Sequence, residues 1–255
     1  MTDKDSEPGH PPPIGSVEAV QRVTAFITAT LALGCATASE REAPAPVADH
    51  PGTRFVPLFN GRDLSGWTGD VAGYSVQDGA IVCGPKGTNL FTAREYSNFV
   101  LVLRFRLSPG ANNGIGIRAP LAGDAAYEGM EVQVLDDGHE KYRGWLKDWQ
   151  RHGSVYGIAA SSGSTAALRP TGEWNDEEIA VDGRRVKVTL NGTVILDVDL
   201  DAATAAGTLS GREHPGVRRT AGHIGFLGHG DRVEYRDVRI RELQAAPATA
   251  GPKAK

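Results

Sequence analysis

The sequence predicts an all-β fold built as a sandwich or a barrel, and three observations carry that expectation. Glycine and proline are abundant, 32 and 15 of 255 residues, more than helix-rich chains tolerate, because both penalise helix interiors. Apolar residues recur with a period of two through many short segments, so alternate side chains share a face. Asp-Gly and Asn-Gly dipeptides join several of those segments, and their ease at positive φ makes tight hairpins. Short strands punctuated by such turns specify a sandwich or a barrel, and one large all-β domain suits this length.

The elements follow in chain order. Tyr74 to Gln77 and Ala80 to Cys83 flank Asp78-Gly79 as a first hairpin. Phe99 to Leu107 places Phe99, Leu101, Leu103, Phe105 and Leu107 on one face and Val100, Val102, Arg104 and Arg106 on the other, a strand with a core side and a wetter side. Strands are expected next at Gly114 to Arg118, Gly129 to Leu135 and Ser154 to Ile158. Ile179 to Val181, Val186 to Leu190 and Thr193 to Leu200 form a meander through Asp182-Gly183 and Asn191-Gly192. His223 to Leu227 and Val233 to Leu243 complete the set, and only Leu146 to Gln150 suggests a short helical turn. Phe59, Trp67 and Trp174 are expected to hold the two sheets together.

The folded domain is therefore expected over residues 54–243, flanked by segments of other character. Residues 1–35 read as an N-terminal extension ending in a lipoprotein signal peptide. Val23 to Gly34, VTAFITATLALG, is too short to span a bilayer but suits the apolar core of a leader. Ala32-Leu33-Gly34-Cys35 resembles a lipobox, which would make Cys35 the lipidated residue and the protein periplasmic or cell-envelope bound, touching membrane only through that lipid. Translation from Val20 would give a short leader with Arg22 ahead of the apolar run. Residues found ahead of Cys35 in the mature protein would exclude this reading and leave a cytoplasmic protein with an extended N-terminus. Residues 36–53, rich in Ala, Pro and charge, read as a flexible tether, and residues 244–255 as a tail of the same kind. With Cys35 lipidated, Cys83 has no partner and reads as a small buried apolar residue.

A net charge of -4 leaves no broad basic field to attract nucleic acid. Three segments instead carry polar groups that a plain sandwich does not need. In Asn112 to Arg118, alternation puts Asn112, Gly114, Gly116 and Arg118 on one face, where two missing side chains leave a hollow overlooked by an amide and a guanidinium. The same glycines equally relieve crowding or mark a bulge, with Arg118 turned to solvent. In Gly129 to Asp137, Glu131 and Gln133 alternate with Met130, Val132 and Val134, and Asp136 joins them if a bulge follows Gln133. The linker DGHEKYRGWLKDWQRHG, residues 137–153, exceeds a tight turn. Its Trp145 and Trp149 suit stacking on sugar rings or pinning the loop, and His139 and His152 suit proton transfer or hydrogen bonding within the loop. No fixed metal-ligand spacing, dinucleotide fingerprint or nucleophile elbow is present.

Laminarinase-type glycoside hydrolases carry a Glu-x-Asp-x-x-Glu strand on the concave face of such a sandwich. Here Gln133 replaces a carboxylate, which argues against the paired carboxylates of a retaining glycosidase. The chain resembles instead the 3-keto-disaccharide hydrolase family, associated with 3-keto-glucoside lyase and 3-keto-2-hydroxy-glucal hydratase activity. The resemblance runs through Leu58-Phe59-Asn60-Gly61-Arg62-Asp63-Leu64-Ser65-Gly66-Trp67, Ala111-Asn112-Asn113-Gly114-Ile115, Gly129 to Asp136, Gly172-Glu173-Trp174-Asn175, Leu190-Asn191-Gly192 and Gly222-His223-Ile224-Gly225-Phe226. Asn113 and Met130 stand where many members have Ser and Tyr.

That resemblance implies a concanavalin A-like lectin/glucanase β-sandwich (jelly roll) acting on 3-keto mono- or disaccharide glycosides. A C3 ketone acidifies the C2 proton, so elimination at C1 needs a base, an oxyanion support and a proton donor. The expected roles are Glu131 or His152 as base and Arg118 as oxyanion support, with room for a divalent metal although the sequence requires no cofactor. Gln133, Asn112 and Asp136 are expected to orient the sugar against Trp145 and Trp149, and Tyr156 or His229 to donate the proton. A non-catalytic, lectin-like carbohydrate-binding module is the rival reading, because the same sandwich hosts both functions.

Overall fold

The computed structural model describes residues 54–244; the expected leader with Cys35, the tether at 36–53 and the tail beyond 244 lie outside them. Thirteen strands form: β1 (Val56–Pro57), β2 (Trp67–Gly69), β3 (Tyr74–Gln77), β4 (Ala80–Cys83), β5 (Asn89–Tyr96), β6 (Phe99–Leu107), β7 (Asn112–Ala119), β8 (Met130–Leu135), β9 (Trp174–Asp182), β10 (Arg185–Leu190), β11 (Thr193–Asp199), β12 (Gly222–Gly228) and β13 (Val233–Glu242). An eight-stranded sheet runs β11-β10-β9-β6-β13-β4-β3, with β1 also on β13, and a five-stranded sheet runs β2-β5-β12-β7-β8. Both are antiparallel. The hairpin turns behave as their sequences require: Asp78-Gly79 and Asn191-Gly192 take φ values of 49° and 73°, and 48° and 83°, matching the twist of the strands they join.

The alternating faces meet between the sheets. Phe99, Leu101, Leu103, Phe105 and Leu107 of β6 are buried against Ile115, Ile117, Met130, Val132, Val134, Ile224 and Phe226 of the smaller sheet. Each such side chain contributes about 1.5–3 kcal/mol through removal of apolar area from water. Trp67 stacks on Phe226, which stacks in turn on Tyr235, and Phe59 is buried in the same core. Trp174 is not part of it. Its ring lies beside the guanidinium groups of Arg106 and Arg236, 4.7 and 4.0 Å from its centroid, because its register opposite Arg106 gives it that residue's solvent-side parity.

Three local departures have physical causes. Ser154 to Ile158 is not a ladder strand: it makes only the bridges Val132–Val155 and Val155–Ala159, and Gly157 at φ 73° turns it away. β5 is absent from the sequence reading because its pairing to β12 jumps from Phe91 to Glu95 while the partner advances from Gly225 to His223, which interrupts its alternation. The short helices α1 (Ala125–Glu128), α2 (Ser164–Ala167) and α3 (Leu200–Thr204) are too brief to show a helical period. The expected turn at 146–150 is a 3-10 turn at Asp148–Gln150.

Candidate active site

On β8 the side chains of Met130, Val132 and Val134 enter the core, so Glu131, Gln133 and Leu135 occupy the opposite face of the smaller sheet. They form the floor of a cavity of about 390 Å³, within the range of about 300–1,000 Å³ typical of small-molecule clefts. Asn112 of β7 borders the floor; His229, just after β12, and Tyr156 stand at its sides. Trp145, Leu146 and Gln150 come from the long loop after β8, and Asp124, Ala126 and Tyr127 from the segment around α1.

Glu131 is 3% exposed, and the space for its carboxylate exists because residue 114 has no side chain. A Cβ on Gly114 would lie 1.8 Å from Glu131 Oε1. That oxygen has no hydrogen-bond partner in the protein. Burial pushes the Glu131 carboxyl above the usual carboxylate range, and His229 beside it opposes the shift. His229 Nε2 stands 3.8 Å from Oε1, an ion-pair distance rather than a hydrogen bond. The Glu131 carboxylate in turn holds the His229 imidazole above its ordinary value, against burial. The backbone N–H of His229 donates to Asn113 Oδ1, which fixes where the ring departs from β12.

Gln133 donates from Nε2 to Asn112 Oδ1 at 3.2 Å, and its own Oε1 is buried without a partner. Two acceptor oxygens, from Glu131 and Gln133, are therefore withheld from protein donors on the cavity floor. Tyr156 Oη accepts from Gln150 Nε2 at 3.2 Å, so its own proton is free to be donated. Burial pushes that phenol up. Trp145 is 54% exposed, with its Nε1 donating to the Lys141 carbonyl. This leaves the indole as part of the cavity's open wall.

Four expected residues are not brought to this cavity. Arg118 is turned away by a bulge: β12 advances from His223 to Gly225 while β7 recedes from Ala119 to Gly116, and Arg118 itself takes φ 51°. The extra residue resets parity. Its guanidinium, 1% exposed, donates to the carbonyls of Ser97, Arg219 and Gly183 and to Asn98 Oδ1 at 2.8–3.2 Å, a clamp on three loops. His152 lies fully buried between β8 and β9. Asp136 stays on the other parity because β8 pairs with β7 without a bulge; its Oδ2 accepts from Gly110 N at 2.7 Å. Trp149 packs edge-on to Tyr156, 5.0 Å between centroids, bracing it from outside the cavity.

Tyr127 and Asp124 are wall residues that strand periodicity missed, because they lie on an irregular connection. The available signal was an aromatic in the link between the two strands bearing the floor. Tyr127 is edge-on to Tyr156, and Arg212 sits over its ring at 3.7 Å while pairing with Asp124 at 3.1 Å. No Lys or Arg lines the cavity among the described residues. No group of three or more His, Cys, Asp or Glu side chains among them is arranged to hold a metal ion.

A 3-keto-disaccharide hydrolase of Bacteroides thetaiotaomicron is 24% identical over 229 residues, covering 74% of this chain and 78% of that protein. Two solved structures from Parabacteroides distasonis, both provisionally classed as glycosyl hydrolases, superpose with TM-scores of 0.65 and 0.66 at 27% and 28% identity. Each covers 74% of this chain, and the matches span 94% and 100% of theirs. The family model of the 3-keto-alpha-glucoside-1,2-lyase-like domain matches residues 54–241, every strand but the end of β13 and the whole cavity, and the chain belongs to that family.

Proposed function

We propose that the protein cleaves 3-keto-glycosides by taking the proton from C2 and expelling the group on C1, with Glu131 as the base. The observation that carries this reading is the buried Glu131 carboxylate, its Oε1 unpaired on the cavity floor. Burial raises its proton affinity, which moves a carboxylate toward the basicity that proton abstraction near neutral pH requires. Transfer of the C2 proton to Glu131 leaves the electron pair in an enolate spanning C2, C3 and the C3 oxygen. Collapse restores the ketone, forms a C1–C2 double bond and breaks the bond from C1 to the leaving oxygen. That oxygen takes a proton from Tyr156, whose acceptor side Gln150 already occupies. Water then adds across the double bond, hydroxyl to C1 and proton to C2, completing a net hydrolysis.

With Arg118 in its loop clamp, the oxyanion role passes to His229. Glu131 raises the proton affinity of its imidazole, and a positioned imidazole N–H donor at the cavity's side stabilises developing charge with little reorganisation. Gln133 and Asn112 orient sugar hydroxyls, and Trp145 offers an aromatic face to the ring. A purely binding, lectin-like role would gain nothing from burying a carboxylate whose Oε1 is left without a hydrogen bond, a costly arrangement. The deciding measurement is release of the aglycone from a 3-keto-glucoside. Glu131→Gln should lose at least about 1,000-fold in kcat, within the range of general-base contributions, with the fold retained. Unchanged turnover would remove Glu131 from the reaction.

A further inference from the structure

His152 and Glu177 are the most enclosed ionisable pair in the described residues, both fully buried, with Nε2 3.4 Å from Oε1, and the reaction above uses neither. The main-chain groups and Nδ1 of His152 have hydrogen-bond partners, whereas its Nε2 and both Glu177 oxygens, buried and facing one another, have none in the protein. Its backbone N–H donates to Asp137 Oδ2, and its carbonyl accepts from Ser161 Oγ at 2.6 Å. Its Nδ1 accepts from the Leu135 N–H at the end of β8. An imidazole whose Nδ1 accepts from a backbone amide carries its proton on Nε2. That nitrogen is the atom facing Glu177, which stands on β9 of the opposite sheet, and the ring rests against Phe105 of β6.

What His152 controls lies directly after it. Gly153 N donates to the Gln133 carbonyl at 2.7 Å, Gln133 N to the Ser154 carbonyl at 3.0 Å, and Tyr156 N to the Glu131 carbonyl at 2.9 Å. The segment returning from the long loop is thus zipped onto the backbone of the two floor residues, and it delivers Tyr156 to the cavity.

We propose that His152 is a positioning residue: as an Nε2–H imidazole anchored on Glu177, it ties the loop's return segment across the two sheets and so fixes Tyr156 against Glu131 and Gln133. The catalytic consequence rests on the function proposed above; the structural coupling does not. Without the anchor the return segment keeps its three backbone hydrogen bonds but loses a polar tie to the opposite sheet at its start, so Tyr156 wanders relative to the floor.

Two measurements separate these parts. The first needs no substrate: amide hydrogen exchange in His152→Asn, in which the side-chain oxygen still reaches toward the Leu135 N–H but nothing meets Glu177. Protection at Gly153 and Tyr156 should fall at least about tenfold while Val181 and Val188 change less than about twofold. Equal loss everywhere, or none at residues 153 and 156, overturns the coupling. Should His152→Asn fail to fold, Glu177→Met removes the anchor with little change of volume, and the same exchange pattern is expected.

The second is a double-mutant cycle on kcat with a 3-keto-glucoside. His152→Asn should cost about 30-fold alone but less than about threefold in a Tyr156→Phe background, because interacting residues are non-additive. Additive losses overturn positioning through Tyr156. Absence of turnover in the unmodified enzyme refutes the proposed reaction and leaves the exchange result to decide the coupling. Nitrogen NMR of the imidazole checks the tautomer: a protonated Nδ1 contradicts the anchor geometry.

Discussion

Gly114→Ala adds one methyl group, yet the structure gives it a large expected effect. The new Cβ would stand 1.8 Å from Glu131 Oε1 and 2.5 Å from both Cγ and Cδ. Restoring ordinary contact requires the carboxylate to withdraw by about 1.6 Å, and a misplacement of about 1 Å costs on the order of 100-fold in rate when a reacting group must be aligned. The backbone does not oppose the substitution, since Gly114 lacks the positive φ that strains a side chain. Loss of at least about 100-fold in kcat/KM, equivalent to about 2.7 kcal/mol of transition-state stabilisation, is expected, with destabilisation held to the roughly 1–3 kcal/mol of overpacking. Gly116→Ala is the control on the same strand: its Cβ would meet Leu227 Cδ2 at 3.2 Å, Leu227 Cγ at 3.4 Å and Ala119 Cβ at 3.5 Å, none of them a candidate site residue, and activity should stay within about threefold, as ordinary repacking allows. Initial rates of aglycone release on matched folded protein decide the matter. If Gly114→Ala keeps a third of the activity, or both variants lose equally, Glu131 is not the aligned group.

Glu131→Gln should stabilise the protein while inactivating it. Because burial raises the carboxyl of Glu131, the folded chain holds a proton that the unfolded chain has released; stability from this group falls as pH rises from the ordinary carboxylate range through the raised value. His229, also raised, contributes stability that is present below its ordinary value and lost as pH rises through the raised one. The variant should therefore melt at a higher temperature at pH 8, with a flatter pH dependence; a lower melting temperature there contradicts the burial argument. Reaction rates should run the other way on the acid limb, kcat/KM rising with pH through an apparent pKa above the usual carboxylate range and belonging to the Glu131–His229 pair. Arg118→Met strips donors from three carbonyls and the Asn98 amide oxygen and leaves a fully buried site to refill, so unfolding titrations should show a loss of about 3 kcal/mol with kcat per folded molecule unchanged; a selective fall in kcat would return Arg118 to the site. Trp145→Ala should raise KM about tenfold, whereas Trp149→Ala, which removes an aromatic brace worth about 0.5–1.5 kcal/mol, should lower kcat about three- to tenfold instead. Identical kinetic signatures for the two would show that they do not stand on different sides of Tyr156.

The sandwich was legible because its main signal is local. The β6 alternation and the Asp78-Gly79 and Asn191-Gly192 turns each act within a few residues, and the structure places strand, face and turn where those residues put them. Glu131 and Gln133 were legible for the same reason: β8 runs unbulged against β7, so parity alone separates the floor of the cavity from the core. Arg118 was lost to the opposite circumstance. One extra residue in β7, set by the long-range register with β12, reverses its side chain, and nothing within the heptapeptide Asn112 to Arg118 distinguishes a regular strand from a bulged one.

The walls of the cavity were hidden for a further reason. Tyr127 and Gln150, which the sequence does not single out, lie on connections with no period; Tyr127 takes its position from Arg212, and even Tyr156, expected as a proton donor, takes its position from the distant backbone of Glu131. His152 makes the point most sharply. Read from the sequence it is a loop imidazole equally suited to proton transfer and to hydrogen bonding within the loop. Its actual depth is set by Glu177 and Phe105, which reach it only through the packing of the larger sheet on the loop return, a contact no local pattern announces. A regular strand can therefore identify a candidate base, because the proposed chemistry needs only one residue to face the right way. How the groups around it are arranged is decided by register and loop return: Asn112, Gln133, Trp145, Tyr156 and His229 are named by the sequence, but Tyr127, Asp124 and Gln150 join them, and Arg118 and His152 leave, only once the two sheets are in place.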